Sequence, residues 1–351
     1  MAMLADTVEL VIGVDTHKHT HTAAVVVAAT GAVVEQVTVP ATPAGYRQLL
    51  GLADRHDDRR VWAIESTGGY GAGLTRFLHA HAEQVVELDR PKRAARRHGA
   101  KSDPLDATRA AREALGRDQL AQPRAAGHRA ALSVRLAARR SAVQATGDTQ
   151  RQLHALVVAA PDSLRGRLRG LTTARLVRTC GRLRQRTDGD PEIAATVASL
   201  RALARRIQLL DLEIADHTQA ITALVRAWRP DLLSRCGVGP IVAAIVLCAW
   251  SHPGRCRSDA AFAMLGGAAP IPASSGQTVR VRLNRSGDRQ LNQALHVIVL
   301  TRLRYDPATR AYAQRRRAQG KTNREIKRCL VRYVARQLYR LLEANPGFDP
   351  T

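Results

Sequence analysis

Apolar runs that stop at single acidic residues organise the first 120 residues. Val8 to Val14 is mostly apolar and ends at Asp15, and Val61 to Ile64 ends at Glu65. Residues 22–29 and 32–38, turning at Thr30-Gly31, have the small and β-branched content of two more strands. Tyr46, Leu49, Leu50 and Leu52 give residues 43–55 a helical face. A strand over 60–66 runs into the turn Ser66-Thr67-Gly68-Gly69. A helix over about 71–81, a strand from Gln84 to Leu88, a short basic helix from Arg90 to Arg97 and a helix from Asp103 to about Leu115 follow. Hairpin strands followed by strand–helix units predict a mixed sheet with helices on its faces.

An RNase H-like fold has this order of elements. Beyond it, residues 126–230 read as helical and arginine-rich. Leu200, Leu203, Ile207, Leu210, Ile214, His217, Ile221 and Leu224 recur at alternating steps of three and four, the seam of a coiled coil. His217 is its one polar member and a candidate for fixing register. Leu132, Leu136, Val143, Leu153 and Val157 make a weaker seam, and periodicity leaves open whether the two pack within one chain or between chains. Cys236-Gly237-Val238-Gly239-Pro240 then opens an apolar helix over 241–250. Gly-Val-Gly before a helix resembles a helix-hairpin-helix turn, whose N–H groups meet DNA phosphates, and it is equally an ordinary glycine turn. The stretch 265–278 is a loop by its Gly, Pro and Ser content. A helix over 291–303 and a last one over about 324–344 follow, the latter with Thr322 and Glu325 at capping-box spacing.

Charge sharpens this picture. The formal net charge is +24 with a pI near 11.3, and lysine occurs only at positions 18, 92, 101, 321 and 327, so arginine supplies nearly all of it. Arginine forks bind phosphate, and this balance points to nucleic acid. Aromatic residues are 3%, too few for base-stacking platforms to dominate. Five cysteines without a Cys-x-x-Cys pair read as reduced thiols of a cytoplasmic protein. The longest apolar run, Ile241 to Trp250, is far short of the roughly 20 residues of a membrane helix.

The candidate chemistry centres on Lys101-Ser102-Asp103-Pro104-Leu105-Asp106-Ala107. A spacing of three places Asp103 and Asp106 on nearly one helix face, where two carboxylates can hold a hard divalent cation. A plain helix start explains them equally, with Asp103 as cap and Asp106 at the positive end of the dipole. Asp15 and Glu65 tip the balance, because carboxylates at the ends of buried strands are costly without partners. His17, His19 and His21 alternate and would share a strand face. A polar strand end beside an anionic site explains them better than zinc, since no further ligand follows at suitable spacing. In the basic loop, Ser275-Gly276 is followed by Arg280, Arg282, Arg285 and Arg289, so Ser275 is a candidate nucleophile, with Ser274 adjacent.

These pieces resemble the insertion sequence 110 family of transposases, relatives of the pilin-gene invertases. The matching residues are Gly13-Val14-Asp15-Thr16, Ala63-Ile64-Glu65-Ser66-Thr67-Gly68, Lys101 to Ala107, Gly237-Val238-Gly239, and Pro270 through Ser275-Gly276, in family order along nearly the whole chain. The resemblance implies a RuvC/RNase H-like DEDD domain over 1–120, a helical coiled-coil linker and oligomerisation region over 121–230, and a mainly helical C-terminal transposase domain over 231–351. It implies that Asp15, Glu65, Asp103 and Asp106 bind Mg²⁺, two ions per site roughly 4 Å apart as in two-metal enzymes. It implies that Ser275 attacks DNA to give a phosphoserine, and that Lys101, Gly237, Gly239, Arg280, Arg282, Arg285 and Arg289 contact nucleic acid. Donor and target double-stranded DNA, a structured non-coding guide (bridge) RNA, and a homodimer pairing into a tetramer with an active site shared between chains are the implied partners, in a prokaryotic, nucleoid-associated setting with no membrane. The competing expectation is a RuvC-like Mg²⁺-dependent junction nuclease that uses water and forms no covalent intermediate. A non-catalytic nucleic-acid scaffold is the third.

Overall fold

The computed structural model describes residues 4–56, 59–88, 102–118, 120–184, 190–274, 281–282, 284 and 286–344. The chain divides into two compact units, residues 1–126 and 127–351.

In the first unit, α1 (Leu4–Thr7) precedes β1 (Leu10–Thr16), β2 (Thr20–Val27), β3 (Val33–Pro40), α2 (Pro43–Ala53), β4 (Arg60–Glu65), α3 (Ala72–Ala80), β5 (Val85–Leu88) and α4 (Asp103–Leu115). The sheet order is β3-β2-β1-β4-β5. β1–β2 and β2–β3 are antiparallel, whereas β1–β4 and β4–β5 are parallel. This is the mixed sheet expected. The short basic helix read over 90–97 lies outside the described residues.

Alternation along β1 and β4 divides their side chains between two cores. Ile12, Val14, Trp62 and Ile64 pack with Leu49 and Leu52 of α2 and Leu74 and Leu78 of α3. Val11, Val61 and Ala63 pack with Ala110, Ala111 and Ala114 of α4. The α4 face is all alanine, so helix and strand backbones come close. At Gly13 a Cβ would lie 2.1 Å from the Ala107 carbonyl oxygen and 2.5 Å from the Ala111 nitrogen. Glycine inside a central strand is otherwise unfavourable, and here it is the condition for α4 to sit on β1.

The second unit begins with α5 (Gly127–Ala159), α6 (Asp162–Leu168), α7 (Thr173–Gly181) and α8 (Pro191–Trp228). The reading of 126–230 as helical holds, with interruptions it did not anticipate: the chain breaks at Pro161 and again around Gly170, which has φ +79°. The α8 seam packs inside the chain, against α5. Leu200 and Ile207 join Leu153 and Val157 in one core, and Ile221 joins Leu132 in another. As α5 ascends α8 descends, so the pair is antiparallel. His217 receives Arg135 Nη1 at 3.1 Å, and Arg139 Nε donates to Thr218 at 2.8 Å, polar contacts that register the two helices.

After a 3-10 turn at Pro230–Leu232 come α9 (Pro240–Trp250), α10 (Asp259–Leu265), β6 (Ile271–Pro272), β7 (Val281–Arg282), α11 (Arg289–Tyr305), α12 (Pro307–Ala318) and α13 (Asn323–Glu343). α9 is apolar all round and sits in a core with Phe262, Leu291, Leu295, Val331 and Leu338. The Thr322–Glu325 capping box is formed. No helix among the described residues is long and apolar enough to cross a membrane.

Candidate functional site

Asp15 belongs to the α4 face of β1, two residues beyond Gly13. The strand continues through Thr16, and the His17 N–H donates to the Thr20 carbonyl at 2.9 Å, closing the turn into β2. His17 therefore leaves the sheet directly beside Asp15. Ser102 takes the N-cap position of α4 with extended backbone, and Asp103 is the first helical residue, with Asp106 in the same turn. Asp103 is thus not the helix cap, and its carboxylate is available for other work.

The two strand–helix elements meet at these residues. His17 Nε2 lies 3.9 Å from Asp15 Oδ2, and His17 Nδ1 lies 3.5 Å from Asp103 Oδ2. One ligand atom each from Asp15, His17 and Asp103 fall within 4.8 Å of one another. An octahedral ion with bonds of about 2.1 Å separates its ligands by about 3.0–4.2 Å, so small side-chain adjustments suffice to close this set on one cation. Two carboxylate oxygens with an imidazole nitrogen suit Mn²⁺, and the carboxylates without the imidazole suit Mg²⁺. The Asp15 side chain is 15% exposed and that of Asp103 45%, which leaves one side of the cluster open to a ligand.

Glu65 and Asp106 flank this cluster without entering it. Glu65 ends β4, whose parallel register with β1 sets Ala63 opposite Gly13, and Thr16 Oγ1 donates to the Glu65 carbonyl at 3.2 Å. Ser66 follows with φ +58°, a left-handed turn that costs a serine energy and sends the chain away from the strand end. Asp106 Oδ1 accepts from Arg109 at 3.0 Å. Lys101 lies outside the described residues.

The histidine triplet separates in the structure. His17 and His19 are turn residues and His21 is on β2, so they do not share a strand face. His21 is fully buried, stacks on Tyr46 at 5.7 Å and hydrogen-bonds the Thr20 carbonyl through Nδ1. Burial holds its pKa below the usual histidine range, outweighing that hydrogen bond. His17 alone reaches the acidic cluster, as a polar strand end beside an anionic site should. Its signal was its position two residues past a strand-end aspartate.

The second unit carries the serine-loop candidates. β6 and β7 pair antiparallel, Ile271 with Arg282 and Pro272 with Val281, as the stem of the loop. Its base is tied down by hydrogen bonds: Asp288 N–H to the Leu265 carbonyl at 2.7 Å, Asn292 Nδ2 to Gly266 at 2.6 Å, and Asn284 Nδ2 to Met264 at 3.3 Å. Ser275, Arg280 and Arg285 lie outside the described residues. Arg282 and Arg289 line a cavity of about 800 Å³ that Arg316, Lys321, Arg324, Lys327, Arg328 and Arg332 also line. Its two acids are engaged in helix caps, Asp288 on the Gln290 and Leu291 N–H groups and Glu325 on Thr322. The basic lining is therefore largely uncompensated and suits an anion. His296 shares this wall, and burial first and Lys327 second hold its pKa below the usual range.

Gly237 has φ +83°, and a Cβ there would meet the Ile298 carbonyl oxygen at 3.0 Å. Packing on α11 accounts for this glycine without a ligand. Gly239 caps α9 with extended backbone and open space around it.

Two family models match the sequence. Residues 12–160 match the family model of the DEDD transposase domain of the IS110 type, and residues 230–314 match that of the IS116/IS110/IS902 transposase family. The chain is 31% identical over 163 residues to the insertion element IS900 uncharacterized 42 kDa protein of Mycobacterium paratuberculosis, covering 45% of this chain and 40% of that one. It is 30% identical over 163 residues to the insertion element IS110 uncharacterized 43.6 kDa protein of Streptomyces coelicolor, covering 46% and 38%. Each match thus spans about two fifths of the relative. The first match runs from the first unit through α5 and the second lies in the second unit; together they cover about two thirds of the sequence, and the chain belongs to the IS110 family of transposases.

Proposed function

We propose that the chain is the recombinase of an insertion element, cutting and rejoining DNA at a divalent-metal site held by Asp15, Glu65, Asp103 and Asp106. The observation that carries this reading is the approach of Asp15 and Asp103 from the end of β1 and the start of α4, in a sheet of order 3-2-1-4-5. When bound, Mg²⁺, two ions in the full reading, supplies charge stabilisation at a phosphodiester. The protein's part is to hold the carboxylates. Gly13 seats α4 on β1, and Ser102 takes the N-cap position, so that Asp103 falls inside the first helical turn with Asp106.

The second element of the proposal is Ser275 as nucleophile. Its hydroxyl oxygen forms a bond to phosphorus while one DNA oxygen leaves, and a second DNA end later displaces the serine. The guanidinium and ammonium groups of the cavity beside the loop stem neutralise strand phosphates. A structured RNA encoded by the element guides the choice of DNA, and dimers pair into tetramers for the reaction. The net charge of +24 supports nucleic-acid partners of this kind.

Mass spectrometry of the product trapped on a nicked DNA tests the chemistry. A nucleotide on Ser275, absent in Ser275→Ala, is expected. The cluster of Asp15, His17 and Asp103 lies wholly inside the first unit, which favours a second reading, a nuclease that uses water. Cleavage by Ser275→Ala with no adduct on the unaltered chain would establish that reading instead.

A further inference from the structure

The far end of the α5–α8 hairpin is a small helical module with its own core. Leu164 and Leu168 of α6, Leu176, Val177 and Cys180 of α7, and Val197, Leu200 and Ile207 of α8 are buried together with Leu153 and Val157 of α5. Its α6, α7 and α8 parts fall between the two family matches, which end at residue 160 and resume at residue 230.

The outer surface of this module is unusual in charge. Residues 162–184 contain seven arginines, one aspartate and no lysine or glutamate, a net charge of +6 in 23 residues. The single acid, Asp162, is paired with Arg165. Five of the other arginines, Arg167, Arg175, Arg178, Arg182 and Arg184, surround one cavity of about 1120 Å³. None of the five forms a salt bridge among the described residues, and all are exposed. Each is free to exchange water for an anion.

The module's helices arrange this deliberately. Along α7, Leu176, Val177 and Cys180 take the buried side, while Arg175, Arg178 and Arg182, at steps of three and four, share the opposite one. Ile193 and Val197 of α8 line the cavity beside them, and the Thr179 and Ser163 hydroxyls add donors. Among the described residues, no aspartate, glutamate or aromatic ring lines it. Clustered guanidinium forks suit a phosphate backbone, and without a ring among the described residues to stack a base the lining does not suit unstacked single strands.

We infer that the cavity at the hairpin tip is a binding site for the phosphodiester backbone of a nucleic acid, separate from both the carboxylate cluster and the serine-loop cavity. Duplex RNA and duplex DNA offer the same chemistry there, and the experiment distinguishes them.

The test uses the full chain in EDTA, so that its outcome is independent of the proposed metal chemistry. Fluorescence anisotropy measures affinity for a labelled 20-base-pair RNA duplex and a DNA duplex of the same sequence between 50 and 200 mM salt. The variant Arg178→Gln/Arg182→Gln is compared with a shaft pair, Arg205→Gln/Arg206→Gln, which removes the same charge from exposed positions of α8 that do not line the cavity. Losing two phosphate contacts lowers the salt slope on duplex DNA by about 1.8, or about ten-fold in affinity across this range. The site is supported if the tip pair does this on either duplex and the shaft pair does not, and the duplex that responds identifies the source. Equal losses in both pairs would reduce the tip to diffuse attraction. No loss in either, or tighter binding of labelled polyglutamate through the same two arginines, would also overturn the inference.

Discussion

Gly13→Ala is the sharpest test of how the fold builds the carboxylate cluster. The added Cβ would lie 2.1 Å from the Ala107 carbonyl oxygen and 2.5 Å from the Ala111 nitrogen. Carbon atoms do not approach backbone atoms closer than about 3 Å, so α4 must retreat from β1 by about 1 Å, because no flexible side chain can yield instead. Two consequences follow. Packing between Val11, Ala63 and the alanine face of α4 is lost, at about 3 kcal/mol, the upper part of the overpacking range. Asp103 also moves away from Asp15 by several times the ~0.2 Å tolerance of a metal–ligand distance. Hydrogen exchange followed by mass spectrometry should show β1 and α4 peptides exchanging about 150-fold faster, at tenfold per 1.4 kcal/mol. Mn²⁺ affinity by isothermal titration should fall at least about ten-fold. Gly51→Ala, where a Cβ meets nothing within 4 Å, serves as the control and should leave both unchanged or slightly improve protection. Wild-type Mn²⁺ affinity in a Gly13→Ala chain that has lost protection would refute the link between helix seating and metal binding.

Glu83 carries a pH-dependent part of the same unit's stability. Burial pushes its pKa up, but hydrogen bonds from Arg60 Nε at 3.0 Å and Trp62 Nε1 at 2.7 Å more than offset this and hold it below the usual carboxylate range. Its contribution is therefore complete above the ordinary glutamate range and is lost as pH falls through the lowered value. Glu83→Gln should cost about 2 kcal/mol in urea unfolding at pH 7 and progressively less below pH 4. Ile207 is 1% exposed, inside the tip core, so Ile207→Asp should lower thermal stability by about 4 kcal/mol independently of protein concentration. A midpoint that rose with concentration would place the seam between chains instead.

How much of this was legible follows from which forces act locally. The helix from Asp103 to about Leu115 was readable because Pro104 marks its first turn and Gly116 its end, although the cap is Ser102 and not Asp103. The apolar runs before Asp15 and Glu65 were readable as strands because both their faces are buried. α12 was missed because it is polar nearly all round, with only Ala313 buried among Arg310, Arg315, Arg316 and Arg317. The breaks at Pro161 and Gly170 were missed because a continuing arginine-rich pattern masked them. Periodicity showed that Ile207 and Ile221 share a face but not that α5 covers it, since a partner helix leaves no mark on spacing. The role of His17 needed the turn to Thr20, which directs it to Asp103. The arginine cavity at the hairpin tip needed α6, α7 and α8 brought together, from Ser163 to Val197.

The central claim is that Asp15 and Asp103 hold a metal that drives strand cleavage. It is tested most directly by the cleavage rate of a labelled DNA duplex spanning the element's end junction, with guide RNA present, titrated with Mg²⁺ and compared with Asp103→Asn. The account predicts a rate that saturates with Mg²⁺ and falls at least about a thousand-fold both in EDTA and in Asp103→Asn, with nucleic-acid binding retained. Cleavage at the wild-type rate in EDTA, or by Asp103→Asn at saturating Mg²⁺, would contradict it.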